Sequence, residues 1–240
     1  MTTLSIHETR RWLKQSEHPV ARKLFRMAKA VRGFEIRLPR PLCRLFYSGY
    51  RALHTAISEM LRVLWWTPLL KGRLHRVGKQ LYLYGGLPYI SGPLQINLGD
   101  NCRVSGQTTF SGRTAGSENP RLIVGRNVDI SWMTTIAVGR KVIIGDNVRI
   151  AGGALLAGYP GHPLNADDRA AGLPETDDQV GDIILEDDVW LATGVSVMAG
   201  VRIGRGTIVA AGSVVTHDLP AGVLAGGIPA QVIHSLEGGD

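Results

Sequence analysis

The 240-residue chain is 44% hydrophobic but only 6% aromatic and holds 30 glycines, so its core must be built from small aliphatic side chains joined by many tight turns. The formal charge of +7 is uneven: residues 1–80 carry 17 Lys and Arg against 4 Asp and Glu, and the remainder 10 against 16. Two cysteines, Cys43 and Cys102, exclude a disulfide framework and have no metal spacing; no run nears the ~18 apolar residues that would span a bilayer, and the opening Met1–His7 has no apolar signal core. Reduced thiols in the cytoplasm are the expectation.

Residues 1–80 read as a basic, amphipathic α-helical region. One helix is expected from Pro19 to about Arg32. A second is carried by Leu42, Leu45, Phe46, Gly49, Leu53, Ala56, Ile57, Met60, Leu61 and Leu64, an i, i+3, i+4 stripe from which Arg44, Arg51 and Arg62 fall away. Trp65, Trp66 and Pro68 follow. Basic amphipathic helices ending in tryptophans suit an anionic membrane interface, here the inner face of the plasma membrane. The stripe would equally serve as a cap on the domain that follows, and both can hold. No recognition motif points to nucleic acid.

From residue 81 to 240 the period changes to six. Leu185, Leu191, Val197, Ile203, Val209 and Val215 recur in phase, and Val189, Val195, Val201, Thr207 and Ser213 lie two residues before successive members. The frame also holds at Val124, Ile130 and Ile136, then, after a two-residue slip, at Ile144, Ile150 and Leu156, with Leu98 and Val104 extending it upstream. A helix repeats near 3.6 and a single strand at 2. Six fits short strands that turn a corner each time, with three faces closing a coil of about eighteen residues and stacked coils sharing one core. Gly145-Asp146-Asn147 and Asp187-Asp188 suit corners that need positive φ. The frame breaks once, between Leu156 and Leu185, where a loop at 157–182 contains His162-Pro163. Long irregular loops in compact folds are more often functional than incidental.

The segments Asp187–Leu191, Ala211–Pro220 and Ala225–Ala230, with Gly204, resemble the hexapeptide-repeat acyltransferases over roughly residues 95–235, nearest the maltose, galactoside and polysaccharide O-acetyltransferase branch. The resemblance implies a mainly β fold, a left-handed parallel β-helix of hexapeptide repeats, here with an N-terminal α-helical region. It implies a homotrimer with sites between subunits, acetyl-CoA as co-substrate, no metal, and an acceptor hydroxyl on a sugar in polysaccharide, exopolysaccharide or O-antigen biosynthesis.

It also implies roles. His162 heads a His-Pro pair with Arg169 and Gly172 at the family offsets, and would be the catalytic base; an imidazole that titrates near neutrality can take a hydroxyl proton during attack on a thioester. The solvated loop histidine is its alternative. The Thr193 amide would face the oxyanion. Relatives place a glutamate where this chain has Leu173, so Glu175, Asp167 or Asp168 would orient the imidazole. For the donor, Trp190 would flank the thioester, compatibly with core packing, and the Ala211 backbone would bond pantetheine amides. Thr216 and His217 would face the nucleotide. A lysine is usual at His217 and a cation at Gln231; Arg202 and Arg205 would compensate, unless Arg205 is merely a solvated corner. Ser131 stands where relatives carry an acceptor-site asparagine, and Arg169 is assigned to the acceptor side.

Two other readings stay open. A β-helix metalloenzyme of the carbonic anhydrase type needs three converging histidines, and outside the N-terminal part the chain offers His162, His217 and His234, none at metal spacing. A non-enzymatic membrane-associated scaffold is the other.

Overall fold

A computed structural model describes residues 11–12 and 14–236. The opening Met1–His7, read above for a signal core, lies outside them. The chain forms two compact units that divide between Leu53 and His54.

Helix α1 spans Pro19–Arg32 as expected. Proline at its start costs no hydrogen bond, His18 accepts from the Val20 amide through Nδ1 at 3.3 Å, and Lys29 and Arg32 complement the negative C-terminal end. Helix α2 spans Arg40–Leu61 and carries the predicted stripe, yet none of its residues is buried. It runs on through a π-helical turn, Arg62–Trp66, into α3, Thr67–Arg73. No helix among the described residues is long and apolar enough to cross a membrane.

Within the second unit, Glu59 and Tyr82 fix the π turn. Arg62 Nε donates to Glu59 Oε2 at 2.8 Å, its guanidinium lies 4.7 Å from the centre of the Tyr82 ring, and the Tyr82 hydroxyl donates to Glu59 Oε1 at 3.1 Å. Leu70 is 2% exposed and enters the main core, with Trp66 and Leu74 packed beside it.

The rest of the unit is a parallel β-helix of three sheets. The first stacks Arg76–Val77, Gln95–Leu98, Arg121–Val124, Lys141–Ile144, Ile183–Leu185 and Arg202–Ile203. The second runs from Tyr82–Tyr84 to Ile208–Val209 and ends in the antiparallel pair Val223–Gly227 and Ala230–Ser235. The third runs from Tyr89–Ser91 to Val214–Val215. Every aliphatic residue of the predicted frame points inward: Leu185, Leu191, Val197, Ile203, Val209 and Val215 are each 0% exposed. The two-residue slip falls at the corner from the third sheet to the first, where the strands on both sides turn two residues inward, Ile136 with Val138 and Val142 with Ile144.

The corner from the first to the second sheet is a polar ladder. Asn101, Asn127, Asn147 and Asp188 all have φ near +60°, the left-handed conformation that Asn and Asp tolerate best. Asn127 Nδ2 donates to Asn147 Oδ1 at 2.8 Å, and Asn147 Nδ2 to Asp188 Oδ1 at 2.9 Å.

Candidate active site

The corner from the third sheet to the first behaves differently, because here the chain leaves the coil twice. One excursion is 113–120 and the other, 158–182, follows two coils further on. Beneath them successive backbones touch: Gly92 has φ +75°, and a Cβ there would lie 2.2 Å from the Gly112 carbonyl oxygen. The two excursions enclose a cavity of about 510 Å³. Ser91, Gly112, Tyr159, His162, Arg169 and Glu175 are among the residues of its wall.

The longer excursion is braced from within. Asn165 caps the short helix α4, Ala166–Ala170, accepting the amides of Asp167 and Asp168 at 2.8 and 3.2 Å. Arg169 Nη1 donates to the carbonyls of Pro163 at 3.0 Å and Leu164 at 2.5 Å, so it locks the backbone directly after His162. Pro163 is buried and restricts His162 to extended conformations. The His162 side chain is exposed, with no hydrogen-bond partner among the described residues.

Glu175 lines the same cavity but faces another partner. Arg113, 7% exposed, donates from Nε to Glu175 Oε1, from Nη2 to the Glu175 carbonyl at 3.0 Å, and from Nη1 to Asp177 at 2.6 Å. Burial opposes the charge on Arg113, but the bonds to Asp177 and Glu175 outweigh it and raise the guanidinium above its ordinary value. The cluster ties one excursion to the other. Asp167 and Asp168 sit on the first turn of α4, and no bond joins either to His162.

The residues assigned to the donor lie elsewhere. Trp190 is 48% exposed on the outer face of the second sheet, between Arg149 and Ile208, so it is not a core residue. Thr193 and Ala211 occupy the corner from the second sheet to the third, one coil apart, each followed by a glycine with φ near +70°. Gly212 donates to the Thr193 carbonyl at 2.9 Å, while no described residue accepts the amide of Thr193 or of Ala211. Thr216 Oγ1 and His217 Nδ1 lie 2.8 Å apart, both exposed. Arg202 and Arg205 are held at the ladder corner. Arg202 Nε bonds Glu186 Oε1 at 2.8 Å and Arg205 Nε bonds Asp188 Oδ2 at 3.0 Å, which neutralises both cations. Ser131 donates its amide to the Ile150 carbonyl at 3.0 Å and lies outside the cavity wall. Among the described residues no cluster of three or more His, Cys, Asp or Glu is placed to hold a metal ion.

With this geometry in place, residues 182–217 match the model of the bacterial transferase hexapeptide, six repeats. Those residues carry the hexapeptide repeat of that family. It is 35% identical over 117 residues to galactoside O-acetyltransferase of Escherichia coli, covering 49% of this chain and 55% of the relative. It is 39% identical over 89 residues to a Staphylococcus aureus 2,3,4,5-tetrahydropyridine-2,6-dicarboxylate N-acetyltransferase, covering 37% of this chain and 31% of that one. The chain thus spans about half, or less, of the length of these curated relatives. Among solved structures it superposes on AntD, an N-acyltransferase from Bacillus cereus solved with dTDP-4-amino-4,6-dideoxyglucose and coenzyme A. The TM-score is 0.58 at 21% identity, over 70% of this chain and 88% of that one. The fold is the left-handed parallel β-helix that the resemblance implied.

In this β-helix the structure brings His162, Arg169 and Glu175 to one cavity and leaves Thr193, Trp190 and Ala211 across the third sheet. Sequence reasoning missed Arg113, whose acidic partner lies 62 residues away. It also missed Tyr159, which reaches Ser111 Oγ at 3.5 Å. Tyr159 had a signal in its place three residues before His162; Arg113 had none.

Proposed function

We propose that the chain is an acyl-CoA-dependent O-acyltransferase that moves an acetyl group from acetyl-CoA to a sugar hydroxyl during polysaccharide, exopolysaccharide or O-antigen synthesis. One observation carries the reading: an exposed, unpaired His162, with its backbone locked by Arg169, opens into a sugar-sized cavity on a hexapeptide-repeat scaffold.

In this reading His162 takes the hydroxyl proton as the oxygen attacks the thioester carbonyl. The C–O bond forms, the carbonyl oxygen becomes an oxyanion, and the free amide of Thr193 stabilises it. Collapse breaks the C–S bond, and the imidazolium returns its proton to the departing thiolate. The Ala211 amide supports pantetheine binding in the same way, being free to pair. Because His162 and Thr193 stand on different corners of one coil, the reading needs a second copy, and we infer a trimer in which neighbours share each site. Exposed apolar residues beside the cations of α1 and α2, such as Leu24, Met27, Leu45 and Phe46, support peripheral contact with an anionic membrane on its cytoplasmic side.

His162→Ala tests the reading. Transfer from acetyl-CoA should fall at least a hundredfold while coenzyme A binding stays within about twofold. A variant within threefold of the parent would sink the assignment, and a parent that binds no coenzyme A would favour the non-enzymatic scaffold.

A further inference from the structure

The polar cavity has an apolar neighbour. Leu69 and Leu70 of α3 face the segment Leu87–Ile90, and between them lies a second pocket of about 280 Å³. That is near the small end of ligand cavities, ~300–1,000 Å³. Leu70 forms its floor, 2% exposed, whereas Leu69, Leu87 and Tyr89 stay exposed at the rim. Arg73 is the one charged residue in the wall.

The two pockets share a strand. Tyr89 and Ile90 line the apolar one; the next two residues, Ser91 and Gly92, line the cavity that holds His162. Arg73 stands at the junction, donating from Nη1 to the Leu94 carbonyl at 3.0 Å and from Nη2 to the Gly92 carbonyl at 3.3 Å. Both acceptors are neutral, and among the described residues no carboxylate lies within ion-pair distance of it. A guanidinium bonded only to carbonyls keeps its charge for an anion, phosphate above all. Along this surface the order is therefore aliphatic, cationic, then polar with the base. One to three turns before Leu69 the same helical run also exposes Met60, Leu64 and Trp65.

We propose that this strip binds an acceptor built in the same order: an aliphatic chain against Leu69 and Leu87, a phosphate at Arg73, and a sugar at His162. The acceptor would be a lipid-phosphate-linked sugar rather than a free one. The sugar end rests on the acyl-transfer reading; the chain and phosphate ends do not.

Farnesyl phosphate, kept below its critical micelle concentration, is the probe, titrated calorimetrically into the full-length protein. It should bind at least tenfold tighter than inorganic phosphate or farnesol. Leu87→Asp and Arg73→Gln should each weaken it at least fivefold. Leu87 is 41% exposed, so Leu87→Asp should keep the parent's melting temperature and remain decisive if Arg73→Gln does not fold. Dihexanoyl phosphatidylglycerol should compete at least tenfold less well, which separates a lipid-linked acceptor from a general lipid anchor. Farnesyl phosphate binding no tighter than inorganic phosphate, equal competition by the phospholipid, or indifference to Leu87→Asp would each overturn the proposal. Coenzyme A binding and acetyl transfer to a water-soluble sugar are measured on the same preparations. Their loss in the parent strikes the acyl-transfer reading, whereas failure of the probe with both intact strikes the lipid subsite alone.

Discussion

At Thr193 the functional group is the backbone, not the side chain. Val195 donates to the Ala192 carbonyl at 3.4 Å and Gly194 has φ +72°, so the four residues form a type II turn with Thr193 in its second position. Proline is favoured there. Thr193→Pro should therefore keep the turn while deleting the one donor proposed for the oxyanion. We expect kcat to fall about 10²- to 10³-fold, with melting temperature and coenzyme A affinity near the parent's. Transfer within threefold of the parent would remove the amide from the mechanism. Nothing in the residue type pointed to this amide, because an amide's freedom depends on which carbonyl the next coil presents. Glu175 shows the same limit. The resemblance offered it, beside Asp167 and Asp168, as the residue that orients His162, yet the structure surrounds its carboxylate and carbonyl with Arg113. That contact spans two excursions from the coil and leaves no periodic trace.

The elements were more legible, because each is dictated by a local repeat. A period of six fixes which side chain enters the core, and Ile130, Ile136, Leu156 and Val197 all do so with no exposure. Corner conformations followed from residue type: Asn147 and Asp188 adopt φ of 60° and 62°. The Arg202 and Arg205 assignments ran ahead of that logic, since corner carboxylates one coil away were available to pair with them. The helices divide by burial. In α3, Leu70 enters the core, whereas α2 presents its stripe outward. Arg62 is bound to Glu59 and Tyr82, so Arg44 and Arg51 are the exposed cations to replace on α2. Each contributes about 1 kcal/mol near an anionic surface. The double replacement to Gln should weaken co-sedimentation with phosphatidylglycerol vesicles roughly tenfold or more, and added salt should weaken the parent's binding as well. A parent that remains in the supernatant at low salt would refute the membrane reading.

Across the whole molecule, charge and periodicity divide the labour. The basic stretch of residues 1–80 holds the three longer helices α1 to α3, and the acidic remainder holds nearly all of the coils and every residue proposed for catalysis. A single coil cannot bring His162 to Thr193, since the full width of the third sheet separates their corners. The account's central claim is acyl transfer at a site that two copies share, and subunit mixing tests it most directly. His162→Ala and Thr193→Pro are each purified alone and also co-expressed, with the mixed assembly verified by mass. Each variant alone should transfer acetyl groups at least a hundredfold more slowly than the parent. The mixed assembly, in which some interfaces pair an intact His162 with an intact Thr193 amide, should recover a substantial fraction of the parent's rate. A mixed assembly as inactive as either variant, or a parent that is active as a monomer by light scattering, would contradict it.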